Sequence, residues 1–343
     1  MLTLARESRG LTQSGLAEAM EVSQGKISKY ESGMLAVSGD DLKKLSKILD
    51  YPLEFFYQQD VIKSAGSNCM YHRKRQSMPV QELRRIQAEI NVIRMQVKRL
   101  LRGAEIEAEN KFYRMDIDDF GNCPEEIAQL VRKGWGLPPG PVNNLVEAIE
   151  DAGGIIFRSS FGTKKLDAIS QWLPGLPPLL FVNADIPADR LRYTLAHEVG
   201  HLIMHGVPTE NQEVEADRFA AELLMPAKEI GPYLRPISLQ KVAAIKPYWK
   251  VSMAALIKRA FDLGKISEGY YRKLFTQLSK LGYRTNEPVL IPDEEPTTMR
   301  EVVEVHLKGH RYSVPELCKL VATNEHNFRS LYLPEQQRIR LVN

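Results

Sequence analysis

The chain has 343 residues, more than one hydrophobic core ordinarily serves, so two or three domains are expected. Its 43% apolar and 26% charged content is that of ordinary globular protein, and it contains neither an apolar run long enough to cross a membrane nor a secretory leader, so a cytoplasmic location without membrane attachment is expected. The net charge of +3 names no partner by itself, and the three scattered cysteines, Cys69, Cys123 and Cys318, give neither a disulfide framework nor a Cys-x-x-Cys metal knuckle.

Residues 1–60 carry several short helical patterns broken at Glu21-Val22-Ser23 and Ser32-Gly33-Met34, which predicts a compact all-helical unit. Thr12-Gln13-Ser14-Gly15-Leu16-Ala17 opens one short helix, and Ser23, a good N-cap, opens the next over Gln24 to Glu31. Leu16, Ala17, Val22, Ile27 and Tyr30 form the inward set. Gln24, Lys26, Ser28 and Lys29 are left outward, a polar and basic face suited to the major groove, where Gln can address adenine and Lys phosphate or guanine. This arrangement is similar to the Xre or lambda-repressor-like family, and Gln13 matches the position where that family contacts the DNA backbone at a helix start. The resemblance implies a double-stranded operator as partner. With nine acids against seven bases, residues 1–60 are not themselves a strong electrostatic binder, which favours a homodimer.

Residues 61–115 form a basic connector: from Val61 to Gly103 ten Lys or Arg face only Glu82 and Glu89. Its run His72-Arg73-Lys74-Arg75 reads equally as a phosphate-contacting arm or a solvated loop. Leu83, Ile86, Ile90, Ile93, Val97 and Leu100 recur at spacings of three and four, which predicts one long amphipathic helix over 79–109 that packs on a neighbour or pairs with a second copy.

From residue 116 to 285 the texture becomes α+β, with helices near Pro124–Trp135 and Val142–Asp151 and β-like runs at Ile155-Ile156-Phe157 and Leu179-Leu180-Phe181-Val182. A helix from about Ala188 to Met204 carries His197-Glu198-Val199-Gly200-His201. Four residues is little more than a helical turn, so both imidazoles share one face and can converge on one ion at about 2.0–2.1 Å, a zinc-ligand distance. Glu198 can reach a metal-bound water without taking a ligand position, the general-base role in zinc hydrolysis. His205, about 12 Å of helix rise beyond His197, cannot bind the same ion and reads as an outer-sphere or helix-end residue. Position 204 is Met rather than the glycine of the longer metzincin motif, which excludes that family.

A second amphipathic helix runs from Glu213 to Met225 and ends at Pro226. Glu213 and Asp217 lie one turn apart, so Glu213 can complete a His-His-Glu site while Asp217 accepts a hydrogen bond from a ligating imidazole. Glu215 is the fallback ligand, roughly 200° around the helix from Glu213. His-Glu-x-x-His followed by Glu-x-x-x-Asp and Phe-Ala-Ala-x-Leu-Leu-Met-Pro resembles the ImmA/IrrE-type metallopeptidases over about residues 120–285. The resemblance implies that His197, His201 and Glu213 bind Zn2+, that Glu198 is catalytic, and that the substrate is a protein such as a helix-turn-helix repressor. Tyr193, His205 and Tyr233 are candidate oxyanion stabilisers.

Residues 286–343 read as an acidic, proline-marked linker, Pro288 to Pro296, and a C-terminal helical module. The expected fold class is therefore multidomain and mainly α: an all-α helix-turn-helix domain, an α+β zincin-like metallopeptidase domain with a small sheet, and the helical module. The expected function is a repressor-type regulator whose peptidase domain cleaves a partner repressor or the chain itself. The alternative is a zinc-containing sensor or antitoxin-like regulator that cleaves nothing.

Overall fold

A computed structural model describes residues 1–60, 78–207 and 209–334. The basic run His72–Arg75 and Cys69 fall outside the described residues. No described helix is long and apolar enough to cross a membrane. The described residues divide into two compact units, one made of residues 1–60, 78–106 and 297–334, the other of 107–207 and 209–296.

The first unit opens with helices α1 (Leu2–Ser8), α2 (Gln13–Met20), α3 (Gln24–Glu31), α4 (Gly39–Leu49) and the single turn α5 (Leu53–Phe56). Three of them start on a hydroxyl cap: Thr12 accepts from the Gly15 amide, Ser23 from Lys26 and Ser38 from Asp41. Each cap satisfies an amide that the first helical turn would otherwise leave open. Leu4, Ala5, Leu16, Ala17, Ile27, Leu45, Leu49 and Phe55 close the core between them.

Asp41 at the start of α4 accepts from the Tyr30 hydroxyl at 2.6 Å and from the Lys26 ammonium at 3.0 Å, and these bonds, with Ser38, hold its carboxyl down to about 2. A carboxyl lowered from 3.8 by folding adds stability that is present above that pH and lost as pH falls through about 2. Asp41→Asn is thus expected to melt below the parent at pH 5, with the difference closing by pH 2. Thermal scans at intermediate pH follow it, and a difference independent of pH would count against this account.

Helix α6 (Val80–Leu100) stops nine residues before the position 109 that its apolar spacing suggested. Beyond Leu100 the acids Glu105, Glu107 and Glu109 would face the negative end of the helix dipole. The terminal carbonyls find other partners, since His306 Nε2 bonds Leu100 O at 2.8 Å and His310 Nε2 bonds Gly103 O at 2.6 Å. The helix is also less one-sided than its seam implied. Ile86, Ile90, Val97 and Leu100 are buried, and so are Ala88, Val92 and Met95, which join the core of the first helices.

The second unit begins with α7 (Pro124–Gly134) and α8 (Leu145–Asp151), the latter delayed to Leu145 because the Asn144 side chain caps it. A three-stranded sheet follows, of order β1 (Ile155–Ser159), β3 (Leu179–Asn183), β2 (Ala168–Gln171). Strand β1 runs parallel to β3 and β2 antiparallel to it, with Ser170 opposite Leu180. Strand β2 was not foreseen, being only Ala-Ile-Ser-Gln. Helices α9 (Ala188–Met204) and α10 (Gln212–Leu224) pack closely together, and α11 (Ala227–Ile230), α12 (Leu239–Trp249), α13 (Met253–Asp262) and α14 (Glu268–Lys280) complete the unit. The acidic run after α14 has no regular structure, yet it is tied down: Glu294 pairs with buried Arg192 of α9 and accepts from the Leu145 and Val146 amides at the start of α8. Glu287 likewise pairs with fully buried Lys246, whose other partner is Asp189.

After this run the chain returns to the first unit as α15 (Thr298–Glu304), a π turn (Val305–Gly309), α16 (Val314–Val321) and α17 (Glu325–Tyr332). Tyr332 donates to the Gln96 side chain of α6, and Asn324 and Asn327 donate to Asp50 after α4. The C-terminal helices are thus part of the same compact unit as the first five.

Candidate metal centre and nucleic-acid face

Helix α9 carries His197 and His201 on one face, and α10 brings Glu213 opposite them. Their ligand atoms lie within 4.8 Å of one another. The two Nε2 atoms are 3.0 Å apart, with Glu213 oxygens 3.7 Å from that of His197 and 3.4 Å from that of His201. The approach of the two helices depends on Gly200, where a Cβ would sit 3.0 Å from the Phe219 ring and 3.4 Å from the Ala216 backbone. The Phe-Ala-Ala stretch of α10 is therefore the surface against which the histidine helix is laid.

The other nitrogen of each imidazole is held. His197 Nδ1 lies 2.9 Å from Asp217 Oδ1, while His201 Nδ1 lies 2.9 Å from His205 Nδ1, whose Nε2 is in turn 2.9 Å from Glu215 Oε2. Burial opposes a charge on His197, but hydrogen bonds to Asp217 and Glu213 and the field of Glu198 outweigh it and push the imidazole up to about 10. Burial lowers His205, against the pull of Glu215.

This donor set fits a cation. A carboxylate only accepts, so when His197 is neutral Asp217 takes its Nδ1–H and leaves its Nε2 lone pair facing His201 Nε2, beside the Glu213 carboxylate. Two lone pairs and a carboxylate that converge this closely repel one another unless a proton or a metal ion lies between them. Imidazole, imidazole and carboxylate are donors of the kind that hold a divalent metal ion, and the Glu213 side chain is 39% exposed to solvent.

Glu198 is buried, and one of its oxygens accepts from the Ser170 hydroxyl at 2.6 Å. Ser170 was missed by sequence reasoning because the signal lies in tertiary contact of β2 with α9, not in any local pattern. Of the three candidate oxyanion stabilisers, His205 is buried and engaged by His201 and Glu215. Tyr233 stacks on Tyr248 at 5.8 Å, whereas Tyr193 donates to the Asp217 carbonyl at 3.2 Å, next to the His197 partner.

In the first unit Gln13 and Gln24, each the first residue of its helix, are joined by a 2.7 Å bond from Gln24 Nε2 to Gln13 Oε1. Gln13 also donates to Glu31 at 2.7 Å, and Glu31 receives buried Arg6 at 2.6 Å and 3.1 Å. Gln24 and Lys29 are exposed and Ser28 is half-buried. Lys26 is less available than its place in the sequence suggested, since its ammonium is bonded to Asp41 and lies 5.4 Å from the centre of the Tyr30 ring.

Comparison with family models gives two matches. Residues 2–56 match the model described as Helix-turn-helix, and residues 149–261 match that described as IrrE N-terminal-like domain, which contains the whole of α9 and α10. No curated protein sequence matches the chain. The chain thus joins an Xre-like helix-turn-helix domain of DNA-binding type to an IrrE/ImmA-like domain of metallopeptidase type.

Proposed function

We propose that this chain is a repressor-type transcription regulator whose metallopeptidase-type domain is a zinc endopeptidase acting on a protein, either a partner repressor or the chain itself. The observation that carries the reading is the convergence of His197, His201 and Glu213 within 4.8 Å on two packed helices, with buried Glu198 adjoining His197. Zinc held by these three residues would supply Lewis-acid polarisation of a peptide carbonyl and of the attacking water. Glu198 receives the proton of that water on the oxygen not bonded to Ser170, then returns it to the leaving amine. Ser170 restricts the rotation of that carboxylate, and Asp217 fixes the ring plane and tautomer of His197. In the first unit, Gln13 contacts the DNA backbone, and Gln24, Ser28 and Lys29, with Lys26 once released from Asp41, face the operator. A homodimer would double the DNA contacts of each domain over two half-sites, which offsets the lack of net positive charge in residues 1–60.

Metal analysis of the purified chain tests the centre directly. About one zinc per chain is expected, as for a site of three protein ligands. His197→Ala and Glu213→Ala are each expected to lose it while keeping operator affinity in gel-shift titrations. A parent chain that binds no zinc at stoichiometric level would remove the proposal.

A further inference from the structure

Three carboxylates leave the first two turns of α10, and each meets the imidazoles differently. Glu213 faces both Nε2 atoms and Asp217 bonds His197 directly, whereas Glu215 bonds His205. We propose that Glu215 and His205 form a positioning pair that fixes the ring and tautomer of His201 as a metal ligand, an inference that rests on the zinc reading above.

The hydrogen-bond roles follow from what a ligand needs. For His201 to offer its Nε2 lone pair, its hydrogen must sit on Nδ1. The atom 2.9 Å from that Nδ1 is His205 Nδ1, which must therefore accept and carry its own hydrogen on Nε2. Only an acceptor suits that second hydrogen, and Glu215 Oε2 is the atom found 2.9 Å away, steadied by the Thr209 hydroxyl at 3.4 Å. A donor at position 215 would reverse the chain and place a hydrogen where the ion should bind.

Burial separates the two supports of the centre. The Asp217 side chain is 62% exposed, whereas those of Glu215 and His205 are 12% and 1% exposed. Hydrogen bonds in a chain enclosed by protein are stronger and more mutually reinforcing than one facing water. The Glu215–His205 pair is therefore the stiffer support, although Asp217 acts on its imidazole without an intermediary. His205 ends α9, its backbone amide bonded to His201 O at 3.0 Å, so the same residue closes the helix and braces the ligand one turn back.

The test is zinc affinity of the full chain, by competition with a chromophoric chelator, for Glu215→Ala, His205→Phe and the double variant. Each single change is expected to weaken zinc binding by about 10–100-fold, the usual effect of losing an outer-sphere partner. The double variant is expected to be no weaker than the weaker single one, because Glu215 acts through His205. The visible absorption of the cobalt-substituted chain should shift in all three, which a purely structural role would not produce. Circular dichroism of the metal-free proteins checks folding. If Glu215→Ala unfolds, Glu215→Leu replaces it, removing the acceptor for His205 while keeping most of the side-chain volume. Additive losses in the double variant, or a Glu215 variant that binds zinc as the parent does while His197→Ala does not, overturn the positioning pair alone. Absence of zinc from the parent overturns the underlying centre instead.

Discussion

Glu198→Gln is expected to keep the zinc of the parent chain and lose peptide hydrolysis by about 10²–10⁴-fold, the contribution of a positioned general base. The substitution preserves shape and can still accept from Ser170, so the packing of β2 on α9 survives. What disappears is the group that takes a proton from water. Measuring zinc content and cleavage of a candidate repressor on one preparation separates the two effects. Should the variant regulate as the parent does, the chain is a zinc-containing sensor and not a peptidase. A variant that loses zinc as well would place Glu198 among the supports of the centre instead of in the chemistry. Ser170→Ala offers a graded comparison, since it frees the carboxylate to rotate but leaves it present.

The groups that converge at the centre are legible in the sequence wherever helical periodicity alone brings them together. His197 and His201 share a face by their spacing of four, and Glu213 and Asp217 do so on the next helix. The residues around them are not legible in the same way. Ser170 lies on a four-residue strand with a single branched residue, Ile169, too little to mark it as a strand, and it reaches Glu198 through the pairing of β2 with β3 and its packing on α9. Glu215 points away from Glu213 by helical geometry, which is legible, but its bond to His205 depends on where α9 ends and how the chain turns into α10. In the first unit the helices and their caps follow from local chemistry. That residues 297–334 belong with them does not, because contacts such as Tyr332 to Gln96 join positions too distant for any periodic pattern to register. The acidic run after α14 misleads for a related reason: in sequence it looks solvated, while Glu287 and Glu294 each meet a buried cation.

Arg6→Met is expected to destabilise the first unit by about 3–5 kcal/mol, because removing one partner of a buried ion pair leaves the other charge uncompensated. The Arg6 and Glu31 side chains are 8% and 7% exposed. Arg6 makes two bonds to Glu31 and one to Leu11 O, so Glu31 would retain Gln13 as its remaining side-chain donor, and the Leu11 carbonyl would lose a partner. Against a typical domain stability of about 5–15 kcal/mol this is a large fraction. The loss also reaches the proposed DNA face, since Glu31 holds Gln13 and Gln13 holds Gln24 at the head of α3. Hydrogen exchange of amides in α1 to α3 of the full chain reads the effect locally, without requiring that the two units unfold together. Combining Arg6→Met with Glu31→Leu removes both charges and is expected to recover much of the stability, as replacement of a buried pair by apolar groups often does. The double variant should nonetheless bind operator poorly, because Gln13 no longer has a carboxylate to hold it. A loss below about 1 kcal/mol in Arg6→Met, the range of exposed pairs, would mean that water reaches this pair in solution.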